Sequence, residues 1–331
     1  MNGTLYITLD TGEMTAIDPE SYQEVWTFPR EREFACGAEE PRDRELDGIY
    51  GAPAVNQDTL FVGAWDGAAY AVNRADGACL WRFLTDEPII GGTVLGDAGL
   101  YVPSTDGILY VLDPATGEET ASFAVGEVWS TPWLTEDESA LYVATMEGRL
   151  WALDPETLDR IWDAPFEVST GLLTDPVLAG DVVIVGGLGE TLYGVNAATG
   201  EEAWSVGGAN WFWGRPFVDE TTATVYATTM AGEVIAIHAA TGDVIWEAGT
   251  ESPVRAGPVV AADVLVAVDK KGAVYRLDLE TGAHVGDASE IEKQVLADVT
   301  LLEDGLVLIV ADNGDVYEYD AEQGRTARVI N

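Results

Sequence analysis

Lysine, histidine and cysteine are nearly missing from this sequence of 331 residues. Three lysines (Lys270, Lys271, Lys293), two histidines (His238, His284) and two cysteines (Cys36, Cys79) stand against 58 Asp and Glu. With 16 Lys and Arg in all, the formal net charge at pH 7 is −42. A chain so poor in cations is no nucleic-acid binder, because gripping a phosphate backbone requires a basic face. Two histidines cannot assemble a His-based metal site, and two cysteines 43 positions apart make neither a framework of bridges nor a metal-spaced cluster. No DxDxDG calcium loop is present, so no metal is expected. No apolar run reaches the length of a membrane span, and the opening MNGTLYITLD lacks a basic stretch followed by an apolar one. As written the chain reads as cytoplasmic, and as exported or displayed at the cell surface if a signal lies upstream of Met1.

What the sequence does contain is a foldable apolar fraction of 47% with mean hydropathy +0.06, too hydrophobic for an acidic disordered tail. The acids are spread along the whole length rather than gathered in a run. Such an acidic, lysine-poor skin suits molar salt, where a Debye length of about 3 Å screens the carboxylates from one another.

Internal repetition overrides the two-domain expectation from length. A polar residue closes a short apolar run at Asp18, Asn73, Asp113, Asp154, Asn196, His238, Asp278 and Asp320, with steps of 55, 40, 41, 42, 42, 40 and 42. Six residues earlier stands glycine in seven copies, and Gly189 is displaced by one in the fifth. Three earlier stands an aromatic in six copies. Four later stands glycine (Gly77, Gly117, Gly200, Gly242, Gly282, Gly324), and eight later stands tryptophan (Trp26, Trp81, Trp162, Trp204, Trp246).

Each unit reads as four short strands joined by tight turns, as in RPFVDE, TVYATT, EVIAIHA and VIWEAG. A period near 41 with four strands is a propeller blade. The expected architecture is therefore all-β, a single propeller domain over residues 1–331 with eight blades, seven being the alternative. The five tryptophans are expected as wedges between blades, each worth about 3 kcal/mol of burial. The first copy starts at its second strand, so the first blade lacks its innermost strand or borrows one. The 55-residue step holds a charged, aperiodic insertion, residues 30–48, expected as a surface loop. Cys36 in that loop and Cys79 at the start of a fourth strand are either unrelated thiols or a bridge tying the insertion to the second blade, which implies an oxidising compartment.

The run of aromatic, small, apolar, Asp or Asn, two residues, Thr-Gly and then Trp, seen in LYVLDPATGEET, LYGVNAATGEEAW and VIAIHAATGDVIW, resembles the pyrroloquinoline-quinone-type propeller repeat. That superfamily is similar in repeat to quinoprotein alcohol dehydrogenases and to BamB-type assembly lipoproteins. The resemblance covers about residues 4 to 330. For the enzymes it implies a vicinal disulfide beside the quinone and a calcium held by Glu, Asn and Asp. Here the cysteines are not adjacent, so the resemblance points to the binding branch, without quinone or calcium.

Candidate chemistry elsewhere is thin. The hairpin acids Asp66, Asp106, Glu147, Glu190, Asp269 and Asp312 are expected as a solvated acidic face rather than a cation ring. Serine paired with His238 or His284 has nothing to orient it, so no catalytic residue is assigned. One constellation stands above background. Aligned on GAP53, GGT93, STP132, GRP216, AGP258 and ADV299, the residue three places earlier is Tyr50, Ile90, Trp129, Trp213, Arg255 and Leu296, the fifth copy being ambiguous. Trp211 and Arg215 lie beside these. Tyr50, Trp129, Trp211, Trp213, Arg215 and Arg255 are the expected binding residues at a channel mouth, since Trp, Tyr and Arg dominate binding hot spots. The competing reading is that the rings pack as core. The expected function is a non-catalytic, monomeric scaffold receiving a protein or peptide, with a quinone- or calcium-dependent dehydrogenase as the alternative.

Overall fold

The structure, a computed structural model, describes residues 3–9, 11–29, 36, 48–302 and 305–330. Among these, regular structure consists of strands alone. Seven sheets of four strands and one of three follow one another along the chain, each an antiparallel meander in chain order. This is the eight-bladed β-propeller. The three-stranded sheet is the first, Leu5–Thr8, Met14–Ile17 and Glu24–Phe28, so the described part of that blade begins at its second strand. Apart from Cys36 and Gly48, the insertion at 30–48 lies outside the described residues.

The chain forms two compact units, residues 1–163 and 164–331. In both, each strand's burial follows from its place in the blade. Second strands such as Thr59–Gly63, Val182–Gly186 and Thr224–Thr228 are buried at every residue, and they are accordingly continuous apolar or small-residue runs. Fourth strands alternate, and in Glu202–Gly207 and Val244–Gly249 the tryptophan is the one fully buried side chain. The core is therefore a series of slabs between consecutive blades. One slab joins Met14, Trp26 and Phe28 to Leu60 and Val62, and another joins Tyr226 and Trp246 to Leu265 and Leu277.

The wedge has a repeated geometry. Trp26 Nε1 donates to the Arg74 carbonyl of the next blade at 2.9 Å and Trp81 Nε1 to that of Pro114 at 3.0 Å. In the second unit Trp204 reaches Ala239 (2.8 Å) and Trp246 reaches Leu279 (2.9 Å). All five wedge tryptophans, Trp162 included, are at most 9% exposed. The accepting carbonyl always follows the polar anchor residue, and the ring then lies on the turn glycine four after that anchor. A β-carbon on Gly77 would stand 2.7 Å from Trp26, and one on Gly242 would stand 2.7 Å from Trp204. These glycines also have φ of +71° and +75°, so two independent requirements select glycine at one position.

Candidate interaction face

In each blade after the first, the hairpin between second and third strands is tied to the segment leading into the innermost strand by one hydrogen bond. In the first unit Trp65 N–H donates to Gly48 O (2.9 Å), Thr105 to Pro88 (2.9 Å) and Met146 to Glu127 (2.8 Å). In the second, Leu188 donates to Gly171 (2.9 Å), Met230 to Trp211 (2.9 Å), Lys270 to Pro253 (2.7 Å) and Asp312 to Gln294 (2.9 Å). The residue after each acceptor is buried: Ile49, Ile89, Val128, Leu172, Phe212, Val254 and Val295 are all within 1% of full burial. The residue two after it is Tyr50, Ile90, Trp129, Leu173, Trp213, Arg255 and Leu296. The apolar residue is buried in every copy, and its successor is partly exposed in every copy but the fifth. The ambiguous fifth copy is thereby fixed on Leu173, which is itself buried.

In the first unit Tyr50 is 51% exposed and meets Trp65, 40% exposed, edge to face at 5.7 Å. Trp129 is half-buried, and its Nε1 donates to Glu127 Oε1 at 2.7 Å. The Glu127 N–H in turn donates to the Glu147 carboxylate at 3.0 Å, so the indole is held by a two-carboxylate brace. In the second unit the Arg255 guanidinium lies 4.4 Å over the Trp213 ring, Trp211 is 41% exposed and Arg215 is exposed. Asp298 Oδ1 accepts the Gly257 N–H. Crowding by protein atoms raises its carboxyl, a shift opposed by the Gly257 and Arg215 N–H groups and by the charges of Arg215 and Arg255.

Three of the hairpin acids serve their own turns, and Asp66 and Asp269 are buried there rather than part of the solvated acidic face expected from the sequence. Asp66 accepts the Tyr70 hydroxyl at 2.5 Å and the Ala68 N–H at 3.0 Å, while Asp106 accepts Tyr110 at 2.9 Å and the Ile108 N–H at 2.9 Å. Asp269 accepts Tyr275 at 3.2 Å. Burial and the facing carboxylate push the Tyr70 phenol far above its ordinary range. Among the described residues, no three His, Cys, Asp or Glu side chains gather as a metal-binding group.

A sequence profile described as outer membrane protein assembly factor BamB matches residues 1–127 and 209–286 of this chain. The chain belongs to that BamB family. Its relatives include outer membrane protein assembly factor BamB of Xanthomonas campestris pv. campestris, 25% identical over 312 residues, 93% of this chain and 67% of that protein. BamB of Yersinia pestis is 25% identical over 193 residues, 51% of this chain and 49% of its own length. Among solved structures, BamB from Moraxella catarrhalis matches with a TM-score of 0.73 at 16% identity, over 96% of this chain and 91% of that one. The computationally designed Ika8 protein matches with a TM-score of 0.76 at 15% identity, over 96% and 92%. At such identities the two structures attest the propeller fold alone.

Of the two readings left open for the cysteines, the structure takes the bridge: Cys36 is bonded to Cys79 with their Cα atoms 5.2 Å apart. This is not a vicinal pair, so the residues present in this BamB-family chain do not fit the quinone site of the superfamily's enzymes.

Proposed function

We propose that this chain is a single-domain, non-catalytic, monomeric scaffold that captures a protein or peptide partner on its hairpin and lead-in loops. The contact residues are Tyr50, Trp65 and Trp129 in the first unit and Trp211, Trp213, Arg215 and Arg255 in the second. One observation carries the reading. Among the described residues the exposed large aromatics are Tyr50, Trp65 and Trp211, all on these loops, whereas the exposed aliphatics, such as Val25, Leu80, Val244 and Ile245, lie chiefly on strands. Rigid amphipathic rings set in an otherwise acidic surface are the composition of a binding hot spot. The names of the relatives, assembly factors, agree with a scaffold. The bridge between Cys36 and Cys79 supports an exported protein in an oxidising compartment. The −42 charge supports adaptation to high salt.

The test is selection of displayed random peptides on the immobilised protein, followed by titration against substituted forms. Replacing Trp129 or Trp211 by Ala is expected to weaken a selected peptide by about 2 kcal/mol with the melting temperature nearly unchanged. Undiminished binding, or a loss of several kcal/mol of stability, overturns the reading and returns the rings to the core.

A further inference from the structure

The placement of the three lysines extends this reading. Lys270 and Lys271 occupy the hairpin between the second and third strands of the seventh blade, Val264–Val268 and Ala273–Asp278. Lys293 lies in the loop between Ser289–Glu290 and Thr300–Leu301. These loops are sewn together: Ile291 N–H donates to Gly272 O at 3.0 Å, Val295 N–H to Lys270 O at 3.2 Å, and Lys270 N–H to Pro253 O at 2.7 Å. Two residues beyond Pro253 is Arg255, stacked on Trp213. Every lysine of a chain with 58 acids thus stands on one packed group of loops, joined to the segment whose arginine stacks on Trp213.

Lys271 and Lys293 are exposed and Lys270 is half-buried; among the described residues none of the three makes a close ion pair, though the charge of Lys293 acts on Asp315, which is bonded to Arg328. The carboxylate between them, Asp269, is 1% exposed and already takes the Lys271 and Ala273 N–H groups and the Tyr275 hydroxyl. Glu251, Glu290, Glu292 and Asp312 are exposed acids on or beside the same loops, and Asp298 follows Lys293 on its own loop, so the patch is a small cationic island set among carboxylates rather than a basic face.

We propose that these seventh-blade loops dock an acidic, extended segment of the protein partner, with Lys270, Lys271 and Lys293 meeting its carboxylates and Trp211 and Trp213 covering an apolar residue beside them. The proposal rests on the reading that the hairpin and lead-in loops bind a partner, and adds the partner's charge. Charge complementarity selects this occupant. Beyond a Debye length of about 8 Å the rest of the acidic surface is screened, so a short acidic segment feels mainly the island. A long polyanion or an anionic membrane extends past the island onto carboxylates and is repelled.

The test uses the whole purified protein with four probes: a peptide GDEFDEG, its basic counterpart GKRFKRG, a single-stranded oligonucleotide, and vesicles containing phosphatidylserine. Binding is compared for the native chain, for Lys270→Gln/Lys271→Gln/Lys293→Gln, and for Arg149→Gln/Arg160→Gln as a control of equal chemistry in the first unit. The expected result is saturable binding of the acidic peptide, weakened at least about tenfold by the lysine substitutions and unchanged by the control. Equal loss in the control, preference for the basic peptide, binding of only the oligonucleotide or vesicles, or no acidic-peptide binding up to about 1 mM overturns the proposal. Where a probe's binding depends on Trp211 but not on the lysines, the interaction face survives and only the acidic partner falls.

Discussion

Trp204 rests against two glycines, and each constrains the sequence. Gly242 of the next blade lies under the ring with φ +75°, and Gly194, paired with Trp204 across the third and fourth strands, leaves room for the indole. The corresponding cross-strand residues are Ala16 for Trp26, Ala71 for Trp81 and Ala236 for Trp246. Where the tryptophan is missing, that position is large: Val111 in the third repeat, Arg276 in the seventh and Glu318 in the eighth. Arg276 then takes over the task, its guanidinium lying over Gly324 and donating to the Ala321 and Glu322 carbonyls at 3.4 and 3.3 Å. In the third repeat the Tyr101 hydroxyl donates to Pro155 O at 2.8 Å, and buried Leu158 stands where six of the other turns have glycine. Burial pushes that Tyr101 phenol up to about 12, so it remains a donor throughout the neutral range. By urea unfolding, Trp204→Ala is expected to cost about 3–5 kcal/mol as a large-to-small core change. Gly242→Ala is expected to cost about 2–4 kcal/mol from left-handed backbone and overpacking together. In the double variant the overpacking part vanishes, so the summed cost falls short of additivity, and strict additivity refutes the contact.

At the scale of the element, the third-to-fourth-strand turns are held by carboxylates. Asp113 Oδ1 accepts the Ala115 and Thr116 N–H groups, Asp154 those of Glu156 and Thr157, and Asp278 those of Glu280 and Thr281. These bonds, above all that from the third residue's N–H or hydroxyl, hold the carboxyls below their ordinary value. A carboxylate lowered by folding stabilises above its unfolded value, near 3.9, and that stabilisation disappears as pH falls through the lower folded value. Asn73 and Asn196 make the same turn elsewhere, so Asp113→Asn/Asp154→Asn/Asp278→Asn should keep neutral-pH stability while unfolding less steeply with acid below about pH 4. An unchanged acid slope would falsify this role. The turns were legible in sequence because polar residue, two residues, Thr and Gly is local chemistry, and so were the wedges, whose spacing repeats. The lead-in segments were legible only in part. Alignment found Tyr50, Trp129, Trp213 and Arg255, but the fifth copy's extra residues hid Leu173. Whether such a ring faced core or solvent depended on a neighbour's burial that no periodicity displayed. Trp65 escaped notice because its hairpin position carries Thr105, Met146 and Met230 elsewhere and so shows no pattern.

Across the whole molecule, charge and covalent linkage set the conditions for stability. Raising KCl from dilute to molar should raise the melting temperature, because 58 acids against 16 Lys and Arg repel unless screened, and equal values at both salts would count against salt adaptation. Reduction of the Cys36–Cys79 bridge, which closes a span of 43 residues, should lower stability by about 2–4 kcal/mol. Cys79→Ser should show no further response to reductant, and a native chain indifferent to reductant removes the bridge from the stabilising contacts. The wedge, finally, bears on how such chains can be inherited. Three of the wedges unite a small residue and a tryptophan of one repeat with a glycine of the next in the same unit: Ala71, Trp81 and Gly117, or Gly194, Trp204 and Gly242, or Ala236, Trp246 and Gly282. The last two sets overlap between 236 and 242, so a recombination crossover anywhere from 194 to 282 parts at least one ring from its seat. Repeats joined in this way are not exchangeable cassettes. Duplication can copy them in register, but divergence of one has to be answered in the next, as Tyr101 with Leu158 and Arg276 with Gly324 already record.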